Sequence, residues 1–199
     1  MLRPVSDRVV DIAADIADEN SVEQLFRSCI DAFRAIDVVV HCAGILAHEP
    51  LLTTDLGDFE RILRVNVTGT FLVGREALRH MHRQQRGKLI VIASDLSHVG
   101  REQFSAYCAS KAAVLSLVRT WALEFAPELL VNAICPGPID TPMLGESNMS
   151  QEWRDKESDI PLGRLGEPDD VARMALYLAG PGGDFITGQG IGVNGGSVM

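Results

Sequence analysis

The sequence predicts an α/β fold built on a parallel sheet, and three observations point there. Short apolar runs alternate with longer stretches of helical periodicity, the order strand, helix, strand, helix. The runs are nearly continuous rather than alternating polar and apolar, as in strands covered on both faces. Residues able to do chemistry gather just after those runs, where open α/β sheets bind their ligands.

The elements follow in chain order. Strands are predicted at "RVVDIAAD" (8–15), "DVVVHCA" (37–43), "KLIVIAS" (88–94), "LLVNAIC" (129–135) and "QGIGVN" (189–194). Between the first two, Val22, Leu25, Phe26, Cys29, Ile30 and Phe33 recur at helical spacing behind "SVEQ", where Ser21 and Gln24 form a capping box. Further helices are predicted over about 55–82, 104–126 and 168–179, the last with Pro168 where a first helical turn tolerates it. The stretch 136–161 is weakly periodic and opens with "PGPIDTPM", which predicts a functional loop or small lid. No repeat, linker or low-complexity tract divides residues 1–199, so a single domain is expected.

Composition narrows the partners. The 199 residues are 46% hydrophobic and 23% charged, ordinary values for a soluble protein. A formal net charge of −9 argues against nucleic acid or an anionic membrane surface as partner. No apolar run approaches the ~20 residues of a membrane span, and the N-terminus lacks a signal-peptide core. Cys29, Cys42, Cys108 and Cys135 show no Cys-x-x-Cys spacing and sit in apolar runs, which predicts reduced, buried thiols, no metal site and a cytoplasmic setting.

Chemistry concentrates at the predicted strand ends: Asp15, "HCAG" (41–44), Ser94 and "CPG" (135–137). On the helix after Ser94, "AYCASKAAV" places Tyr107 and Lys111 four apart, one above the other. An ammonium beside a phenol favours phenolate and draws its pKa down from roughly 10, making the pair a proton donor and acceptor. Each residue alone has a plainer reading: turn glycines at Gly44 and Gly137, a cap at Ser94, a loop acid at Asp15, a surface contact for Tyr107 and Lys111. Their joint placement after successive strands favours a site.

These residues resemble the short-chain dehydrogenase/reductase family of NAD(P)-dependent oxidoreductases. "AYCASKAAV" is similar to its Tyr-x-Ala-Ser-Lys motif, with Ser94 thirteen positions before Tyr107. "RVNVTGTF" (64–71) resembles its Asn-Val-x-Gly segment, "CPGPIDTPM" its Pro-Gly loop, and "PLGRLGEPDDVA" and "ITGQGIGVNGG" its later segments. The resemblance implies a Rossmann-like doubly wound parallel sheet and interconversion of a carbonyl and a secondary alcohol with NAD or NADP. It implies catalytic roles for Ser94, Tyr107, Lys111 and Asn66. It places Asp15 and Ile16 toward the adenine, Ala43 and Gly44 toward the adenosine ribose, Tyr107 and Lys111 on the cofactor as well, and Pro136, Gly137, Ile139 and Thr141 at the nicotinamide. The substrate, a small carbonyl or alcohol, is expected against a loop at about 138–162, and a homo-oligomer, dimer or tetramer, is expected.

The chain departs from the family at its start. The first glycine is Gly44, so the family's glycine-rich phosphate turn has no counterpart, and the motifs imply an N-terminally truncated sheet lacking family strands 1 and 2, a βαβα unit of roughly 40 to 50 residues. In strand order 3-2-1-4-5-6 that loss strips segment 8–15 of its neighbours, so it pairs elsewhere, with 37–42 or another chain, or leaves an apolar edge exposed. "HCAG" stands where the family usually reads Asn-Asn-Ala-Gly, with Cys42 in place of an asparagine; His98 is expected in solvent. Two further functions stay open: a cofactor-independent protein using Tyr107 for non-redox proton transfer, and an inactive oligomer partner of a full-length relative.

Overall fold

The computed structural model describes residues 9–145 and 150–199. Four parallel strands form one sheet in chain order: β1 (Val38–His41), β2 (Gly87–Ile92), β3 (Leu129–Pro136) and β4 (Gly190–Val193). Parallel neighbours need crossovers. These are supplied by α2 (Leu56–Leu63) and α3 (Thr70–Gln84) between β1 and β2, and by α4 (Ser105–Phe125) between β2 and β3. Beyond β3, α5 (Gln151–Ser158) and α6 (Pro168–Ala179) lead to β4, and α1 (Glu19–Phe33) precedes β1.

One sheet face carries most of the core. Leu89, Val91, Val131 and Ala133 of β2 and β3 pack with Val22 and Phe26 of α1, Leu78 of α3, and Val114 and Val118 of α4. The opposite face is covered by α6, whose Leu178 packs on Ile90 and Ile134. The Lys88 ammonium finishes that helix from β2, donating to the Leu178 carbonyl at 3.3 Å, the Gly180 carbonyl at 2.6 Å and Asp184 Oδ1 at 2.6 Å.

Four expectations are corrected. Residues 9–15 form no strand, and among the described residues β1 is paired on one side only. Without a neighbouring strand to take its amides, the segment turns into α1 instead: the Asp15 N–H donates to Ser21 Oγ at 2.9 Å, and Ala17 N–H donates to Asp15 Oδ1 at 2.9 Å. The cap of α1 is therefore Asp18, whose carboxylate accepts from Ser21 N–H at 2.7 Å, and not a Ser21–Gln24 box. The helix expected over 55–82 is interrupted by a π-helical turn, Arg64–Gly69, which buries Asn66. The segment 136–161 holds α5, capped by Ser150, while Glu146–Met149 lie outside the described residues. All four cysteines are free, as expected, but only Cys135 is fully buried: Cys29 and Cys108 are half-buried and Cys42, just past the end of β1, is exposed. Among the described residues no helix is long and apolar enough to cross a membrane.

Candidate active site

The strand ends and the N-terminal half of α4 bring Ser94, Tyr107, Lys111, Asn66 and Gly44 together. Ser94 follows β2 and is buried; its Oγ caps a short 3₁₀ turn, accepting from Leu96 N–H at 3.2 Å and donating to Asp95 Oδ1 at 3.1 Å, and it acts electrostatically on Tyr107. Tyr107 and Lys111 share a face of α4, with Lys111 Nζ 5.7 Å from the centroid of the Tyr107 ring.

Lys111 is not a surface residue. It is 7% exposed, donates one of its three protons to the Ile92 carbonyl at 2.9 Å, and forms no salt bridge among the described residues. Burial pulls its pKa down to about 8, against the opposing pull of the Cys135 and Cys42 thiols. The expected depression of Tyr107 does not occur: burial pushes the phenol up to about 12, with Ser94 opposing and Asp95 and Cys108 adding to the rise. Desolvation thus outweighs the help expected from the lysine, whose ammonium is turned to a backbone carbonyl.

Asn66 sits inside the π-helical turn, and its amide is fully engaged. Oδ1 accepts from Ile45 N–H at 2.8 Å, while Nδ2 donates to the Ile45 carbonyl at 2.9 Å and to Ser110 Oγ at 3.0 Å. Its carbonyl accepts from Thr70 Oγ1 at 2.6 Å, and Thr70 in turn meets the buried His41 at 3.0 Å. The side chain therefore ties the loop after β1 to α4. Gly44 lies in that loop, and a Cβ there would stand 3.3 Å from Asn66 Oδ1 and 3.6 Å from Lys111 Nζ, so a larger residue would press on the Asn66 amide.

The other expected residues divide. Ala43 is exposed beside Gly44. Pro136 ends β3, and Gly137 approaches Asn194 so closely that a Cβ would lie 2.8 Å from its carbonyl oxygen. Ile139 bridges to Gly166, and Thr141 Oγ1 donates to the Ile139 carbonyl at 3.3 Å. These form a rim beyond β3, next to a cavity of about 460 Å³ lined by Pro138, Ile139, Pro161 and Asn194. Asp15 and Ile16 stand apart at the start of α1, Asp15 in its own turn and Ile16 against Gly69. His98 is exposed, as expected.

Sequence reasoning missed three contributors. Ser110, inside the quoted motif, links Asn66 to the Tyr107 carbonyl, to which it donates at 2.7 Å. Asp95, next to Ser94, is buried and bonded to it. Arg101 pairs with the buried Glu157 of α5 and stacks on Phe104 and Trp153, closing the segment after β3 onto the turn before α4. Only adjacency marked the first two in sequence, and nothing marked the last.

The family described as enoyl-(acyl carrier protein) reductase matches residues 2–197. The chain belongs to the short-chain dehydrogenase/reductase family. It is 36% identical over 187 residues to the 3-oxoacyl-[acyl-carrier-protein] reductase of Aquifex aeolicus, spanning 93% of this chain and 75% of that one. It is 36% identical over 195 residues to the 2-(R)-hydroxypropyl-CoM dehydrogenase of Xanthobacter autotrophicus, spanning 96% and 78%. The solved structure of ElxO with NADP bound superposes with a TM-score of 0.86 at 32% identity, covering 91% of this chain and 75% of that one. A gluconate 5-dehydrogenase from Burkholderia cenocepacia in complex with NADP and tartrate gives 0.87 at 30% identity, covering 91% and 72%. This short-chain dehydrogenase/reductase chain thus has the α/β, Rossmann-like sheet that the sequence predicts, and its family is one of oxidoreductases.

Proposed function

We propose that the chain interconverts a small-molecule carbonyl and a secondary alcohol with NAD or NADP. Tyr107 exchanges the proton of the substrate oxygen, Ser94 hydrogen-bonds that oxygen, and Lys111 binds the nicotinamide ribose with the donors not spent on Ile92. Asn66 keeps the loop after β1 and α4 at fixed separation, so that the lysine stays beside Gly44. Ala43 and Gly44 are assigned the adenosine ribose side and Pro136, Gly137, Ile139 and Thr141 the nicotinamide side; Asp15 and Ile16 are assigned the adenine side. The residues present fit the nicotinamide half of such a cofactor: a desolvated ammonium faces an open glycine, and a close-packed Pro-Gly rim lies across from it. When bound, the nicotinamide supplies or accepts the hydride.

The observation that carries this reading is the burial of Lys111. An ammonium taken out of water without a carboxylate partner costs several kcal/mol, which a surface role does not require. We assign the segment 138–162 to substrate recognition within a single domain, a cytoplasmic setting, and a homo-oligomer, without nucleic acid or membrane as partner.

Titration with NADH and NADPH, followed by nicotinamide fluorescence, tests the proposal. Binding at micromolar concentrations supports it, and Tyr107→Phe then lowers turnover by about 10²–10⁴-fold while binding persists. Absence of binding at millimolar cofactor overturns it. A second reading is non-redox proton transfer by Tyr107, which the buried Lys111 beneath its ring would serve equally well. A turnover that needs Tyr107 but no nicotinamide selects that reading. A purified chain inactive in both assays, but activating or stabilising a full-length relative, selects the partner role.

A further inference from the structure

The hydrogen bonds behind Asn66 fix their own direction, and they begin at His41. An unbroken α-helix would pair the Asn66 carbonyl with the amide of Thr70, four residues on. In the π-helical turn the Thr70 N–H goes to the Val67 carbonyl, and the Thr70 hydroxyl takes its place on the Asn66 carbonyl at 2.6 Å. Both Thr70 and His41 are buried, and His41 Nε2 lies 3.0 Å from Thr70 Oγ1.

A hydroxyl has one proton to give. Thr70 spends its proton on Asn66, so toward His41 it can only accept, and Nε2 must carry the hydrogen. Burial, then the Lys111 charge, lowers the ring's pKa to about 4, so at neutral pH it carries a single N–H and its Nδ1 is bare. Beyond Asn66 the directions are equally fixed. Its Nδ2 donates to the Ile45 carbonyl and to Ser110 Oγ, Ser110 gives its own proton to the Tyr107 carbonyl, and Ile45 N–H returns to Asn66 Oδ1. Turning the Thr70 proton to a bare Nε2 would take it from the Asn66 carbonyl and loosen the turn that aims the Asn66 side chain.

We propose that His41 is a positioning residue: as the Nε2–H tautomer it commits the Thr70 hydroxyl to the Asn66 carbonyl. It thereby holds the π-helical turn from which Asn66 ties the loop at Gly44 to α4, which carries Tyr107 and Lys111. A buried donor is what the position requires. Asparagine supplies an N–H there, whereas phenylalanine fills the space and supplies none. The functional half of this inference rests on the proposed oxidoreductase reading.

Nitrogen-15 NMR of the histidine rings reads the tautomer directly, with His41→Asn identifying the His41 signals. A proton resident on Nε2 and a bare Nδ1 are expected; the opposite tautomer, or a ring that averages between the two, overturns the inference. Hydrogen exchange at Ile45 N–H, which rests on Asn66 Oδ1, reads the positioning. His41→Phe and Thr70→Val are each expected to speed that exchange by about tenfold or more, while His41→Asn keeps it within about threefold of the parent chain. Slow amides of β3 verify that each variant is folded, and if His41→Phe does not fold, Thr70→Val carries the same test. Ile45 exchange unmoved in folded Thr70→Val overturns the positioning role. Neither measurement needs nicotinamide or substrate. A chain with this tautomer and a protected Ile45 that binds no cofactor keeps the network and loses only its role in the reaction. In an active enzyme, Thr70→Val raises the KM for the nicotinamide cofactor more than it lowers kcat, because the Gly44 loop is assigned to the cofactor's ribose side. A loss confined to kcat overturns that functional half.

Discussion

The two faces of the sheet are covered unequally, and the site depends on the better covered one. On one face α1, α3 and α4 bury Leu89, Val91, Val131 and Ala133 to 2% exposure or less. On the other, α6 covers Ile90 and Ile134, but nothing among the described residues covers β1, where Val38 and Val40 are 39% and 44% exposed. The register places Val40 beside Ile90, which is 1% exposed, so a single step across the sheet passes from core to solvent. Ser94 and Lys111 are held mainly from the crowded side, by β2, β3 and α4, and Asn66 ties the loop after β1 to them through Ile45 and Ser110.

The largest expected effect tests the crowded face. Leu89→Ala removes side-chain bulk at 0% exposure between the sheet and the helices, and is expected to cost about 2–5 kcal/mol by chemical denaturation. A loss under about 1 kcal/mol would mean that this face is looser than it is drawn here.

Next comes His41, at the junction of the two regions, where β1 meets the π-helical turn. Burial, then the Lys111 charge, lowers its pKa to about 4 from 6.5. The folded chain thus binds this proton less readily than the unfolded chain. Stability from His41 is complete above about pH 6.5 and is lost as pH falls toward 4, by about 3 kcal/mol in all. His41→Asn, which can still bond Thr70, should flatten that part of the stability profile. An unchanged acid dependence would place His41 in water.

What could be read from the sequence follows the same division. The later strands, α4 and α6 were legible because their apolar runs are long and their caps local, as with Pro168 at the start of α6. Residues 8–15 misled because "RVVDIAAD" has a strand's composition, whereas strand formation requires a neighbour that the described chain does not supply. The 55–82 helix hid its break because a π-helical turn keeps near-helical spacing; Asn66 became visible there only through its bonds to Ile45 and Ser110. At the site, spacing correctly joined Tyr107 to Lys111 but misjudged what one does to the other. Desolvation depends on depth, and periodicity carries no depth. Asp95 and Ser197 are 102 positions apart, and only folding brings them together.

The smallest expected effect probes the open edge. Val40→Ala removes two methyl groups from a side chain 44% exposed, on a strand with one neighbour, so the change in stability should stay within about 0.5 kcal/mol. The comparison with Leu89→Ala is close in kind, since both truncate an apolar strand residue and only the cover differs. If another chain covers this strand in solution, Val40 behaves as an interface residue: the substitution then costs 1 kcal/mol or more, and the melting temperature rises with protein concentration. Melting at two concentrations, a hundredfold apart, separates these outcomes. A concentration-independent melt with a near-neutral Val40→Ala establishes that the edge is open water.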